Sequence, residues 1–251
     1  MRAPVDTIAA PLFPTGLPWI NGRPQATLQR GRPMLVEFWD FCRPNSLRTL
    51  PYLQAWHERY GSAGLRTIGV HCPGFEPSRS ERAVRAAVAR LGIGYPVLID
   101  SAFQVWQDYG NEGWPARYLF DGRARLVEHH RGEGAYAETE LAIQELLGIE
   151  REPLAPIRPE DAPGAHLLAQ TEERPGAYSG PYAAGAAWAV LDGSGTVQVN
   201  GGASVGGVEL AVSHPGAYQL VEHERHTEGF LELTLGPGVR CYATCFTPGL
   251  A

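Results

Sequence analysis

The fold is decided by the stretch MLVEFWDFCRPNSLRTLPYLQAWHERY, residues 34–60. Its first six residues form a short apolar run that ends in turn-forming residues, which predicts a buried strand. Asn45 or Ser46 is placed to cap a helix that runs through Trp56 to Tyr60. The apolar side chains of this helix fall on one stripe, at Leu47, Leu50, Leu53 and Trp56. A strand followed by an amphipathic helix predicts an α/β layer here.

The alternation of strand and helix continues after this stretch. Residues 65–71 and 95–99 are further apolar runs and predict the next two strands. Between them, Ser78-x-x-Glu81 has the form of a capping box and predicts a helix to Leu91. The remaining expected elements are a helix over 103–109, strands over 117–120 and 126–130, and a helix over 137–147. This order predicts a central sheet with a parallel portion.

The chain changes character after residue 150. Residues 151–163 carry four prolines and predict a semi-rigid linker. Beyond them, a Gly-rich turn at 192–195 predicts a hairpin, and further short strands are expected at 208–212, 218–222, 230–235 and 241–246, with a polar turn at 222–228. We therefore predict an α/β domain over 1–150, a linker over 151–163 and a small all-β sandwich, jelly-roll-like, over 164–251.

Composition limits the classes of function. With 251 residues the chain is long enough for two modest cores. It has no apolar run near the roughly 18 residues that span a bilayer. Residues 1–6 lack the apolar stretch of a signal peptide, which favours a cytoplasmic protein, and a mature exported form would show the same absence. A net charge of −6 argues against a nucleic-acid partner. The sequence contains arginine but no lysine, a composition typical of a GC-rich bacterial genome.

Four cysteines are too few to staple two domains and fit a reducing compartment: Cys42, Cys72, Cys241 and Cys245. Cys241 and Cys245 lie four residues apart on a predicted strand. They would share a face about 13 Å apart, too far for a disulfide unless a bulge intervenes. A packing role is therefore predicted for both.

Four segments carry a resemblance to a known family: FPTGLPWIN (13–21), LRTLPY (47–52), IGVH (68–71) and WPARYL (114–119). Together they resemble the thioredoxin-like proteins of the TlpA/ResA type, especially the thioredoxin-like region of DipZ-type proteins. The resemblance implies a thioredoxin-like fold over about 12–147 and a cis peptide bond before Pro115. Residues 218–220 and 238–243 are similar to the carbohydrate-binding-module-like sandwich that follows this domain in DipZ-type proteins.

The redox motif of that family is missing. At the position of its Cys-x-x-Cys this chain reads Arg43-Pro44-Asn45-Ser46, and Cys42 stands one residue upstream. Disulfide exchange needs one thiolate that attacks and a neighbouring thiol that resolves the mixed disulfide. With Arg43 and Ser46 at the two positions, that local mechanism is unavailable. We expect Cys42 to lie in an exposed loop and to be the reactive group.

A second thiol is expected near Cys42. Cys42 and Cys72 each follow a predicted strand, and the resemblance makes those strands parallel neighbours about 4.8 Å apart. Both thiols are therefore expected at the edge of the sheet that the cis-proline loop faces. The residues predicted to form this site are Cys42, Cys72, Arg43, Ser46, His71, Trp114 and Pro115.

Three functions are consistent with such a site. The first is thiol-dependent redox or repurposed small-molecule chemistry at Cys42, with Cys72 as its partner and a small molecule or a protein thiol as substrate. The second is binding of copper or zinc by Cys42, Cys72 and His71, because thiolate and imidazole ligands suit both metals; otherwise no cofactor is expected. The third is binding of a partner or ligand without catalysis, with the cysteines as buried apolar residues.

Overall fold

The computed structural model describes residues 8–22, 31–201 and 204–251. They divide into two compact units. The α/β unit comprises the described residues up to Asp40 together with Asn45–Pro73 and Arg79–Ala155, and the β unit comprises Phe41–Pro44, Gly74–Ser78 and Pro156–Ala251. Within the described ranges, no helix is both long and apolar enough to cross a membrane. Residues 1–6, on which the prediction of localisation rests, lie outside the described residues.

Six strands form the sheet of the α/β unit: β1 Trp19–Ile20, β2 Met34–Trp39, β3 Arg66–His71, β4 Val97–Ile99, β5 Ala116–Phe120 and β6 Leu126–Arg131. Their order is β1-β4-β3-β2-β5-β6. The neighbours β2, β3 and β4 run parallel, which confirms the predicted parallel portion, and the other pairs are antiparallel. Every residue of β2 is buried, as its apolar run predicts. The ends of these parallel strands position both sites described below.

The helices of this unit are α1 Pro44–Tyr60, α2 Glu81–Arg90, α3 Gln104–Asp108 and α4 Tyr136–Leu147. Two predicted helix starts were wrong. Helix α1 begins at Pro44, because proline is well suited to the first helical position, so neither Asn45 nor Ser46 is its cap. Helix α2 is preceded by Ser80. The Ser78 hydroxyl instead donates to the Phe75 carbonyl (2.9 Å) in a short 3-10 turn, so the capping box does not form.

The β unit contains only strands and one short 3-10 turn among its described residues after 155: β7 Leu167–Leu168, β8 Arg174–Pro175, β9 Gly180–Gly193, β10 Gly195–Gly201, β11 Ser204–Val212, β12 Gly216–Leu235, β13 Val239–Thr247 and β14 Gly249–Leu250. One antiparallel sheet has the order β11-β10-β12-β9-β13-β8, and a second pairs β14 with β7. The predicted all-β C-terminal region is therefore confirmed. The predicted hairpin at 192–195 was wrong, because β9 and β10 follow each other in the chain but β12 lies between them in the sheet and pairs with both.

Strand β12 corrects one prediction. The sequence predicted two strands separated by a polar turn at 222–228, whereas β12 continues through this segment. It pairs with β9 on both sides of the segment, with an irregular register between Glu222 and Thr227. The charged side chains of the segment, Glu222, Glu224, Arg225 and Glu228, are exposed. Their polarity marks the solvent-facing side of an antiparallel strand, not a turn.

Candidate thiol site

The predicted site lies where β2, β3 and β4 end. Trp39 of β2 pairs with His71 of β3, and His71 pairs with Ile99 of β4. Backbone hydrogen bonding continues past these strands. The Cys72 amide donates to the Trp39 carbonyl at 3.1 Å, and the Asp100 amide donates to the His71 carbonyl at 2.9 Å. The residues that follow β3 and β4 are therefore held next to each other.

Cys72 is a fully buried thiol beside a carboxylate. Its sulfur has no exposed surface and donates to Asp100 Oδ2 at 3.5 Å. Burial raises the pKa of the Cys72 thiol well above its ordinary value, and the negative charge and hydrogen bond of Asp100, followed by the charge of Asp40, raise it further. The group is consequently a neutral thiol at neutral pH. Because the thiolate is the nucleophile in disulfide exchange, Cys72 is a poor first attacker.

Asp100 is the site residue to which the sequence assigned no role. Its carboxylate is fully buried and accepts hydrogen bonds from the backbone amides of Gln104 (2.8 Å) and Trp106 (2.9 Å). These amides belong to the first turn of α3, whose donors have no partner within the helix. Asp100 therefore caps the N-terminus of α3, and the same carboxylate contacts the Cys72 thiol. The sequence signal for this role was an Asp directly after a predicted strand and four residues before the first residue of a helix.

The Trp114–Pro115 peptide bond is cis, as predicted. The Trp114 indole N–H donates to the Cys72 carbonyl at 3.0 Å, so this loop is anchored directly to the backbone of the buried thiol. The Trp114 ring also packs against Trp106 of α3, with ring centroids 4.4 Å apart. Cys72, Asp100 and Trp114 thus form one connected group, and Trp106 links it to α3.

His71 and Ser46 both contact Asp40, at the end of β2. His71 Nε2 lies 3.4 Å from Asp40 Oδ1, and both side chains are completely buried. The Asp40 amide donates to the Ser46 hydroxyl at 3.2 Å, across the turn that leads into α1. Ser46 therefore acts as a hydrogen-bond acceptor for the backbone. The imidazole of His71 also meets the Trp39 ring edge to face, at 5.2 Å.

Cys42 differs from its prediction. The sequence predicted an exposed loop position, but Cys42 has no exposed surface. The residue after it, Arg43, belongs with it to the β unit, where its guanidinium pairs with Glu173 at 2.9 Å and lies 4.5 Å from the centre of the Phe75 ring. The Arg43 side chain therefore makes structural contacts within the β unit. The pairing of Cys42 with Cys72 stays a prediction.

No group of three or more His, Cys, Asp or Glu side chains within the described residues is arranged to hold a metal ion. The copper or zinc site of Cys42, Cys72 and His71 therefore stays a prediction that no cluster of ligands supports. The measurement that tests it is the metal content of protein purified without chelator.

The two C-terminal cysteines lie on β13. Strand pairing shifts register between Cys241 and Ala243, so a bulge does intervene between the cysteines. Burial raises the pKa of Cys241 to about 11. Burial, followed by the nearby Glu173 carboxylate, also raises the pKa of Cys245, whose sulfur lies 3.5 Å from that carboxylate. Neither thiol is activated, and the packing role stays the prediction for both.

With this geometry, the α/β unit has a thioredoxin-like fold. Its fold matches a thioredoxin-like protein solved in solution in its oxidized form, with a TM-score of 0.50 and 23% identity over 57% of this chain and 97% of that one. No protein-family profile matches the chain.

Among individual proteins, the chain is homologous to the protein DipZ. It is 32% identical over 148 residues to DipZ of Mycobacterium tuberculosis, which is 57% of this chain and 21% of DipZ. It is 25% identical over 119 residues to the thiol-disulfide oxidoreductase ResA of Halalkalibacterium halodurans, covering 47% of this chain and 62% of ResA. The chain thus spans about a fifth of the length of the DipZ proteins it matches. The likeness of residues 164–251 to a carbohydrate-binding-module-like sandwich stays a prediction.

Proposed function

We propose that this protein carries out thiol–disulfide chemistry with a non-adjacent pair of cysteines, Cys42 as the attacking thiol and Cys72 as the resolving one. The observation that carries the proposal is the contact between the Cys72 thiol and the buried Asp100 carboxylate, next to the cis-Pro115 loop. The homology to a thiol-disulfide oxidoreductase supports the same class of reaction. Its substrate is a disulfide in a protein or a small molecule.

The Asp100 carboxylate beside the buried Cys72 thiol sets the order of events, because its negative charge helps to keep that thiol protonated. A neutral thiol does not attack first, so the Cys42 thiolate attacks one sulfur of the substrate disulfide, and the other sulfur leaves as a thiolate and takes a proton. Cys72 then passes its proton to the Asp100 carboxylate and attacks the Cys42 sulfur. This forms a Cys42–Cys72 disulfide and expels the second substrate thiolate. Two electrons pass from the cysteine pair to the substrate, and an external dithiol would return the pair to its reduced form.

The proposal is tested in a variant that keeps only these two thiols, with Cys241→Ser and Cys245→Ser. Oxidation with a small aromatic disulfide should yield protein that is two hydrogens lighter, with Cys42 and Cys72 in one cross-linked peptide under non-reducing mass mapping. The further variant Cys72→Ser should stop at the mixed disulfide on Cys42. Absence of the cross-link, or a mixed disulfide that forms on Cys72 first, would refute the proposed order.

A second function is favoured by the complete burial of both Cys42 and Cys72. A thioredoxin-like domain whose thiols are inaccessible would act as a binding module for a partner or ligand, with the cysteines as apolar packing residues. The two functions differ in one observable. If iodoacetamide modifies Cys42 no faster than the half-buried Cys241 in the folded protein, binding without catalysis is the better account.

A further inference from the structure

A second candidate site lies at the opposite end of β3. A cavity of about 560 Å³ is formed beside the first residues of this strand, Arg66, Thr67 and Ile68, and the last turn of α1. Thr67 and His71 are four positions apart on β3, so the cavity lies about 13 Å along the strand from the thiol site. Its volume falls within the range of small-molecule sites. All the residues used in the argument below belong to the α/β unit.

The cavity contains buried polar atoms that lack partners. Thr67 is only 2% exposed, and its hydroxyl makes no hydrogen bond within the described part of the chain. Arg66 Nη1 and His57 Nδ1 are likewise buried and without a hydrogen-bond partner there. Buried polar groups are almost always hydrogen-bonded, because leaving one unpaired costs free energy. Three such groups on the wall of one cavity are available to form hydrogen bonds with a bound molecule.

The charge of the cavity indicates the kind of molecule. Burial and then the positive charge of Arg32 lower the pKa of Arg66, which means that the two guanidinium groups lie close enough to repel. Neither arginine forms an ion pair with another described residue. Among the described residues, Glu58 is the one acidic residue that also lines the cavity. Two positive charges and one negative charge leave a single positive charge, which a monoanion neutralises.

We propose that this cavity binds a monocarboxylate with a hydrocarbon body. The carboxylate lies between Arg32 and Arg66 and accepts a hydrogen bond from the Thr67 hydroxyl. The hydrocarbon body packs against the apolar part of the lining, formed by Leu65, Ile68 and Pro96. A phosphate, with its higher charge, would leave excess negative charge beside Glu58. The proposal concerns a site separate from the cysteines and does not depend on the thiol chemistry.

The experiment titrates octanoate into the full chain by isothermal calorimetry, with octan-1-ol and acetate as probes of the apolar body and of the charge alone. Octanoate should bind with one site per chain and at least tenfold more tightly than either. Arg66→Gln removes the charge and should weaken octanoate binding by about tenfold or more, whereas Thr67→Val should weaken it by roughly three- to tenfold. The matched control is Thr247→Val, since Thr247 is also a buried threonine without a hydrogen-bond partner but lies in the β unit.

Thr247→Val should bind octanoate like the parent chain. Both Thr→Val variants should keep or raise the melting temperature, because each replaces an unpaired buried hydroxyl with a methyl group of similar shape. A loss of binding in Thr67→Val would then not reflect unfolding, and Arg66→Gln gives an independent readout at a partly exposed position. The proposal is overturned if octanoate binding does not saturate, if octan-1-ol binds equally well, or if Arg66→Gln binds like the parent. Inorganic phosphate that displaces octanoate better than acetate does would also overturn the assignment to a carboxylate.

Discussion

Glu37 provides the sharpest test of the α/β unit because it places a carboxyl group in the middle of a strand whose residues are all buried. It lies on β2 opposite Arg117 of β5, and it is 2% exposed. Its Oε2 has no hydrogen-bond partner among the described residues. Burial outweighs the attraction of the Arg117 charge and raises the pKa of Glu37 from 4.5 to about 8. The folded protein therefore holds Glu37 in its neutral form at neutral pH.

The sign and size of the effect follow from proton linkage. Between pH 4.5 and about 8 the folded state keeps a proton that the unfolded chain has released, so the free energy of unfolding falls as the pH rises through this window and levels off above it. At 1.36 kcal/mol per pKa unit, Glu37 should cost roughly 2 to 3 kcal/mol more stability at pH 7 than at pH 5, and about 5 kcal/mol in full above pH 8.

The perturbation is Glu37→Gln, which keeps the size of the side chain and cannot ionise. Urea unfolding of parent and variant at pH 5, 7 and 9 measures the difference in free energy of unfolding. This difference should move in favour of the variant by roughly 2 to 3 kcal/mol from pH 5 to pH 7, and further by pH 9. Histidines whose pKa is lowered by burial, such as His57 and His130, have the opposite pH dependence but contribute equally to both proteins.

Glu228→Gln serves as the control, since Glu228 is an exposed residue of β12 and the same Glu→Gln exchange there removes no buried carboxyl group. Parallel profiles for parent and Glu37→Gln would refute the reasoning, because they would mean that Glu37 ionises in the folded protein as it does in the unfolded chain. A variant that is destabilised by the same amount at every pH would show a packing cost and no titration.

Three further predictions concern buried polar groups. Asp100→Asn removes the negative charge next to Cys72 and should lower the pKa of that thiol, with burial still holding it above its ordinary value; the pH dependence of Cys72 alkylation measures this, and an unchanged profile would contradict it. Ser46→Ala removes the acceptor of a buried backbone amide and should reduce the free energy of unfolding by about 1 kcal/mol in urea, where no change would show that the bond contributes nothing. Glu140→Gln removes the charge of a buried carboxylate that accepts hydrogen bonds from Tyr60 and two other donors. The free energy of unfolding in urea should fall by roughly 3 kcal/mol, and a fall below about 1 kcal/mol would contradict this prediction.

The framework of the fold was predictable because its signals are local. The run at 34–39 contains five apolar residues, and the helix after it repeats apolar residues on one face, so strand and helix follow from the period of the pattern. Positions at element ends were not predictable in the same way. Ser78 and Ser80 are both adequate helix caps, and the choice between them depends on the bond of Ser78 to the Phe75 carbonyl, which the pattern does not contain.

The candidate sites were predictable only where a motif or a strand end marked them. The cis bond before Pro115 and the position of Cys72 after β3 followed from the resemblance and from strand order. The burial of Cys42 did not, because exposure depends on how distant segments pack. The cavity at the other end of β3 was missed for a related reason: Arg32 and His57 are separated from Thr67 by 35 and 10 residues, and no spacing rule joins them.

Burial has opposite chemical consequences at the two ends of β3. At the end that carries Cys72, burial and the Asp100 carboxylate hold a thiol in its protonated form, so any redox reaction must begin at another sulfur. At the end that carries Thr67, burial leaves hydrogen-bond donors unpaired beside two arginines, so binding of an anion there should lower the free energy of the protein. In the proposed reaction the Cys72 thiol reacts only after Cys42 has formed a mixed disulfide. Anion binding beside Thr67 requires no preceding reaction. Ligand binding at the second end should therefore persist when Cys42 and Cys72 are both replaced by serine.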